Sequence, residues 1–316
     1  MNYQNNKLAP ICLFTYNRLN ETKQTVEALK KNPLAKDSDL FIFSDGSKSN
    51  ETSEKVKKVR YYLKSVQGFK SVNLFTSDSN KGLAKSIIEG VSEIFENSET
   101  VIVLEDDIET HPNFLTFMNE ALDFYKNDMK TQSVNGYSLA INAHSDVYFQ
   151  KRTFSWGWAT WKEYWSSEIF DRELIGEYID SNAKSLSLFK ESCGDDIADM
   201  LLDSLELKNN SWYVRWAFNH FVNNRYAVYP TKSLVNNIGF IEESTHCQGI
   251  NTYISHFETN DNKKHNFKEV DLIEQEEKHF LNYFKKWYKL KFRFKLLLNS
   301  NGRKKLLDEL KYKIKK

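Results

Sequence analysis

Short apolar runs alternate with stretches of three-and-four periodicity along the first 110 residues. Residues 10–15 (PICLFT) form an apolar run that ends in Tyr16, Asn17 and Arg18. Asn20 then stands as the N-cap of a helix over 21–31, with Val26 and Leu29 on one face. Residues 39–44 (DLFIFS) make a second strand that breaks at Asp45, Gly46 and Ser47, and Val56, Val59 and Leu63 mark a helix over 51–66. A strand over 71–75, a helix over 82–97 and a strand over 100–104 (TVIVL) complete the series. The last of these runs directly into Glu105, Asp106 and Asp107. The βαβαβαβ order predicts an α/β fold, Rossmann-like, with a mainly parallel sheet flanked by helices. Ligands of such sheets sit beyond the carboxyl ends of the strands. The order therefore gathers Arg18, Asp45 and the acidic triplet on one rim.

Downstream the pattern predicts a helix over 112–127, with Phe114, Phe117, Ala121 and Phe124 apolar, and strands over 133–137 and 147–152. A tryptophan-rich stretch over 154–165 (FSWGWATWKEYW) follows, then two or three helices within 171–224 and short strands over 226–229 and 233–236. Residues 258–268 are polar without apolar period and read as a loop; from 269 onward the chain reads as helical and basic. The expected organisation is one domain over 1–257, with halves at 1–110 and 111–257, and a linker with C-terminal helices over 258–316. No internal repeat is visible.

At 316 residues with 40% hydrophobic and 28% charged residues, the chain can build a sizeable core. Cys12, Cys193 and Cys247 are far apart and include no CxxC pair, which argues against a disulfide framework or a structural zinc site and fits a reducing compartment. Residues 1–10 are polar and no run reaches the length of a membrane span, so neither a signal peptide nor a spanning helix is expected and the localisation reads as cytoplasmic. The net charge of +1 conceals an asymmetry: residues 285–316 carry 13 Lys/Arg against 2 Asp/Glu, a net +11, and the rest carries 31 against 41, a net −10.

Three adjacent carboxylates at a strand end repel one another, and a bound cation offsets that repulsion. A hard divalent ion, Mn²⁺ or Mg²⁺, prefers oxygen ligands and bridges a carboxylate to substrate phosphates. Arg18 can contact a base or phosphate and Asp45 a base or ribose; a turn-forming role for Asp45 is the bland alternative. Asn80, Lys81 and Gly82 open the next helix, where backbone donors and Lys81 or Lys85 can face a phosphate. His246, in a polar stretch after Glu242 and Glu243, can reach the diphosphate or the metal.

Taken together these residues resemble a GT-A glycosyltransferase, and within that class N-acetylglucosaminyltransferase I and its bacterial surface-polysaccharide relatives. The likeness rests on Arg18, Asp45 and Glu105-Asp106-Asp107. It continues through residues 154–161 (FSWGWATW), 211–216 (SWYVRW) and from Tyr229-Pro230 to Thr245-His246-Cys247. The resemblance implies that Asp107 is the direct metal ligand, that Arg18 and Asp45 hold the nucleoside, and that the tryptophan segment, Trp158 included, shapes the sugar and acceptor pocket. It makes 1–110 the nucleotide-binding half and 111–257 the acceptor half. It further implies an inverting transfer from a nucleoside-diphosphate sugar, a UDP-sugar, to a glycan acceptor, plausibly lipid-linked. Such a reaction needs a general base. Relatives carry an Asp just before the Ser-Trp pair, where this chain has Asn210. Asp195, Asp196, Glu242 and Glu243 are the remaining candidates. Two other readings are a catalytically silent carbohydrate-binding or scaffold protein of the same fold, and a sugar nucleotidyltransferase. The latter lacks its Gly- and Arg-rich loop after the first strand. The tail, with Lys/Arg interleaved among Trp287, Tyr288, Phe292 and Phe294, suits an anionic membrane surface; the acidic body argues against nucleic acid.

Overall fold

The computed structural model describes residues 7–141, 143–239, 264–298, 300, 302–304 and 306. The first apolar runs become the parallel half of one sheet. β1 (Ile11–Thr15) is buried along its whole length, as a central strand covered on both faces must be. It pairs in parallel with β2 (Asp39–Ser44) on one side and β4 (Thr100–Glu105) on the other, and β3 (Ser71–Thr76) lies outside β2. The crossovers are α1 (Leu19–Lys30), α2 (Asn50–Leu63) and α3 (Leu83–Phe95). On α3, Ala84, Ile87, Val91 and Ile94 repeat every three or four residues and are buried on the sheet side.

The sheet continues past β4. β8 (Trp158–Trp161) pairs antiparallel with β4, and β6 (Thr131–Asn135) antiparallel with β8. β9 (Tyr226–Pro230) then runs parallel to β6 and β7 (Val147–Gln150) antiparallel to β9. Among the described residues this gives a mixed, mainly parallel eight-stranded sheet of GT-A type in the order β3-β2-β1-β4-β8-β6-β9-β7. β5 (Ile108–Thr110) and β10 (Val235–Asn237) pair as a separate antiparallel ribbon immediately after the end of β4. α4 (Phe114–Tyr125) packs its Phe114, Leu115, Phe117, Met118, Ala121 and Leu122 into the main core.

Between residues 171 and 224 there are four helices rather than two or three: α5 (Arg172–Ser181), α6 (Ser185–Cys193), α7 (Asp195–Leu205) and α8 (Trp212–Val222). They close a second small core of Ile175, Phe189, Ile197, Leu201, Val214 and Phe218. Gly194, at φ 112, makes the break between α6 and α7, which no periodicity announces. After the polar segment come α9 (Glu274–Asn282) and α10 (Lys286–Leu297). Phe280 and Phe284 are buried against Tyr148, Phe154 and Tyr229, so α9 belongs to the core, whereas Trp287, Leu290, Phe294 and Leu297 of α10 are exposed. Among the described residues no helix is long and apolar enough to cross a membrane.

Candidate active site

The parallel register sets Phe14 beside Glu105, so the residues that leave β1 meet the residues that leave β4. The backbone N–H of Tyr16 donates to Asp106 Oδ2 at 3.2 Å, and the hydroxyl of Thr25 on α1 donates to the Asp106 carbonyl at 3.0 Å. Arg18 Nη2 lies 2.5 Å from Asp106 Oδ1 and 2.9 Å from Asp107 Oδ2, bridging the two carboxylates through one nitrogen. This explains why α1 starts at Leu19 with Arg18 in the N-cap position rather than capping at Asn20: the Arg18 side chain points to the carboxylates, and its carbonyl accepts from the Thr22 N–H at 3.0 Å. On the other flank, Ile238 N–H donates to the Asp107 carbonyl at 2.9 Å. Gly239 follows with its backbone pressed on the pair: a Cβ there would stand 2.0 Å from Asp107 Oδ2 and 2.9 Å from Arg18 Nη1. Only a residue without a side chain fits without moving the carboxylate.

Burial is the largest influence on these acids. It pushes Glu105 up to about 8, with Asp107 and Asp106 adding repulsion and Arg18 opposing. It pushes Asp106 up to about 6 against the pull of Arg18, and Asp107 upward in the same way. Burial disfavours the charge on Arg18 too, but Asp106 and Asp107 outweigh it and hold the guanidinium protonated. Asp107 is 6% exposed, and its Oδ1 is buried with no hydrogen-bond partner among the described residues. A buried, orphaned carboxylate oxygen at a strand end is the donor a hard cation takes. Among the described residues no group of three or more His, Cys, Asp or Glu could hold a metal ion. Asp107 therefore fits a divalent ion that phosphate oxygens help to hold.

Asp45 is differently placed from the expectation. Its Oδ1 accepts from the N–H groups of Gly46 and Lys81 at 2.8 Å each, and its Oδ2 accepts from Gly82 N–H and Asn80 Nδ2 at 2.9 Å each. A carboxylate has about four acceptor positions; one is taken by Asp45's own turn and three by the loop after β3. Gly46 allows the approach, since a Cβ there would lie 2.4 Å from the Ser79 carbonyl carbon. Arg60 of α2 ties the same loops together through the carbonyls of Ser44, Asp45 and Ser77 at 3.2, 3.1 and 2.6 Å. Asp45 thus braces the rim instead of presenting free oxygens to a nucleoside. Lys81 and Lys85 both reach Glu89, at 2.8 and 3.6 Å, on the exposed face of α3.

Two further expectations change. Trp158 is 0% exposed and centres a buried cluster, 5.7, 5.3 and 5.7 Å from the rings of Trp165, Trp212 and Trp216, so it packs in the core. Asp196 is the counter-ion of buried Arg152, which donates to its two oxygens at 2.7 and 3.3 Å, so taking up a proton would strip a buried arginine of its partner. Asp195 sits beside it in the first turn of α7, and no hydrogen bond or ion pair among the described residues links either to Glu105, Asp106 or Asp107. Asn210 Oδ1 accepts from Arg172 at 2.6 Å and Arg215 at 3.3 Å. Glu242, Glu243 and His246 lie outside the described residues. Thr25, Arg60 and Gly239 were not singled out from sequence; each acts through a partner distant along the chain, which composition and spacing do not reveal.

Residues 11–179 match the sequence profile of the family described as Glycosyl transferase family 2. No curated protein matches the chain. Among solved structures, a mannosyltransferase (PcManGT) from Pyrobaculum calidifontis, in complex with GDP-Man and Mn²⁺, is 10% identical with a TM-score of 0.33. That likeness covers 50% of this chain and 46% of the mannosyltransferase, less than half its length. TarS from S. aureus is 12% identical with a TM-score of 0.37, over 70% of this chain and 36% of TarS. A cytidylyltransferase from Leptospira borgpetersenii is 12% identical with a TM-score of 0.32, over 56% of this chain and 72% of that one. At these scores the structural likenesses add no argument to the family match.

Proposed function

The chain belongs to glycosyl transferase family 2, and on that premise we propose that it moves a sugar from a nucleoside-diphosphate donor, a UDP-sugar, to a hydroxyl of a glycan acceptor with inversion. The observation that supports this reading is Asp107 Oδ1, buried just past the carboxyl end of β4 and without a hydrogen-bond partner among the described residues, while Oδ2 pairs with Arg18. Asp107 would hold the cation, Mn²⁺ or Mg²⁺, which when bound offsets the negative charge of the departing diphosphate. Arg18, held on Asp106 and Asp107, is the positive charge at the site for a phosphate, and Lys81 and Lys85 lie at the start of α3. The acceptor hydroxyl attacks the anomeric carbon, its proton passes to a carboxylate, and the sugar–phosphate bond breaks. With Asp196 committed to Arg152, the base falls to Asp195, Glu242 or Glu243. The finer likeness to N-acetylglucosaminyltransferase I and its bacterial surface-polysaccharide relatives is supported by the order of Arg18, Asp45 and Glu105-Asp106-Asp107 along the chain. The proposal extends to an anionic membrane surface as the place of a lipid-linked acceptor, supported by the exposed Trp287, Leu290, Phe294 and Leu297 of α10.

A panel of nucleotide sugars tested for binding and hydrolysis, with and without Mn²⁺, checks the assignment. We expect metal-dependent turnover of one UDP-sugar. The Asp107→Asn protein should keep its fold and lose turnover by about 100-fold or more, the scale on which removing one fixed contact to developing charge acts. A folded Asp107→Asn protein with undiminished metal-dependent turnover would remove Asp107 from the site. Binding without any turnover across the panel would leave a silent carbohydrate-binding protein of this fold.

A further inference from the structure

We infer that Arg18 is a placeholder cation: it holds Asp106 and Asp107 in the donor-free protein and yields Asp107 to a divalent ion only when the donor diphosphate arrives to receive the guanidinium. The inference rests on the reading of Glu105-Asp106-Asp107 as the donor and cation site.

Three observations carry it. First, a single atom, Arg18 Nη2, bridges Asp106 Oδ1 at 2.5 Å and Asp107 Oδ2 at 2.9 Å. It stands where a cation shared by two adjacent carboxylates would stand. Second, the bridge satisfies Asp107 only by half, because its Oδ1 is buried with no partner among the described residues. The carboxylate is thus a ligand in waiting. Third, the pair has little room to open toward β10. The backbone of Gly239 packs against both members, since a Cβ there would fall 2.0 Å from Asp107 Oδ2 and 2.9 Å from Arg18 Nη1. An added divalent ion must use Oδ1 with a unit positive charge close by, or displace that charge from Oδ2. Like charges a few ångströms apart repel strongly at the low effective dielectric of a protein interior. The guanidinium cannot relieve this by losing its proton. It can relieve it by turning to another anion, and a diphosphate offers oxygens in the fork geometry that arginine favours. Cation and nucleotide then bind cooperatively, and Arg18 is the residue through which they are coupled.

The test is Mn²⁺ binding in the absence of nucleotide, measured by calorimetry and by the rise in melting temperature. Removing the competitor should reverse the usual expectation that losing a site residue weakens binding. Arg18→Gln is expected to bind Mn²⁺ at least about tenfold tighter than wild type, since that repulsion is removed. Arg18→Gln combined with Asp107→Asn should lose that gain. Mn²⁺ affinity in Arg18→Gln equal to or weaker than wild type overturns the inference. If Arg18→Gln does not fold, the wild-type protein carries a second arm: its Mn²⁺ affinity should be at least about tenfold higher with saturating UDP than without, a typical coupling of 1–3 kcal/mol. Equal affinities overturn the inference there. Failure of the donor assignment reads out separately, as no binding or hydrolysis of any nucleotide sugar, while the nucleotide-free comparison still reports on Arg18.

Discussion

The carboxylate of Asp45 accepts four N–H groups, three from backbone and one from Asn80, and that number decides what the residue can do. A side chain with all its acceptor positions filled holds a loop; one with an oxygen that has no partner among the described residues, like Asp107, is free to take a ligand. The two roles give opposite signatures on mutation. Asp45→Asn keeps the volume but turns one acceptor oxygen into a donor that faces two N–H groups. Each buried donor left without a partner costs about 1–3 kcal/mol, and some of it is recovered as water enters the loosened loop. We expect a stability loss of about 2–4 kcal/mol by chemical denaturation on that basis, with donor affinity falling only in step with the loosened rim. Full stability combined with lost nucleotide binding would return Asp45 to the nucleoside. From sequence, Arg18, Asp45 and Asp107 were legible as polar ends of neighbouring strands, and the fold does bring those ends to one rim. What was not legible is which of them face each other. Arg18 and Asp106 are 88 positions apart, and only the parallel register of β1 and β4 makes them partners.

At the scale of elements the same limit separates what periodicity gives from what packing gives. β1, β2 and β4 were readable because a strand buried on one or both faces shows a run or an alternation of apolar residues. β8 was not, because its four residues are buried on both faces yet include a threonine and large indoles, and Gly157 at φ 61 interrupts the run just before it. β5 was hidden because three residues, Ile-Glu-Thr, carry too little pattern to stand out after an acidic triplet. The α5–α8 lobe was readable as helical but not in its joints. One joint is the contact of Asn210 with Arg172 on α5 and with Arg215 on α8. Arg215 is buried, and burial together with Arg172 pulls its pKa down to about 10. An aspartate at 210 would meet two arginines and be held strongly ionised, a poor proton acceptor but a good counter-ion. Asn210→Asp is therefore expected to raise stability by about 1 kcal/mol, less than a fully buried charged hydrogen bond because Arg172 is partly solvated. It should leave the rate of sugar transfer unchanged. A clear gain in transfer would instead place the general base at 210.

At the scale of the whole molecule, the C-terminal region divides between two fates that its sequence does not separate. The aromatic residues interleaved with Lys and Arg can pack on the core or face an interface, and the structure does both in succession. α9 and the turn after it bury Phe280 and Phe284, with Arg152 stacked 3.7 Å from the Phe284 ring, so this helix is part of the fold. α10 leaves Trp287 52% and Phe294 60% exposed, with Leu290 and Leu297 in step at helical spacing. Exposed aromatic and aliphatic side chains interleaved with Lys and Arg suit an anionic membrane interface. The charges reinforce it: residues 285–316 carry a net +11 beside a body of −10, so attraction to an anionic surface is concentrated in this one segment. Each basic residue near such a surface contributes on the order of 1 kcal/mol, and salt weakens the attraction as the Debye length shrinks. Removing residues 286–316 should therefore abolish flotation with liposomes rich in anionic lipid at low salt while leaving donor binding intact. The melting temperature should change little, because no side chain among the described residues of α10 is buried. Removing residues 274–316 should instead unfold the domain by uncovering Tyr148, Phe154 and Tyr229. Flotation of full-length protein should fall as salt rises. Equal flotation of full-length and 286–316-deleted protein, or flotation of neither, would rule out α10 as the membrane contact.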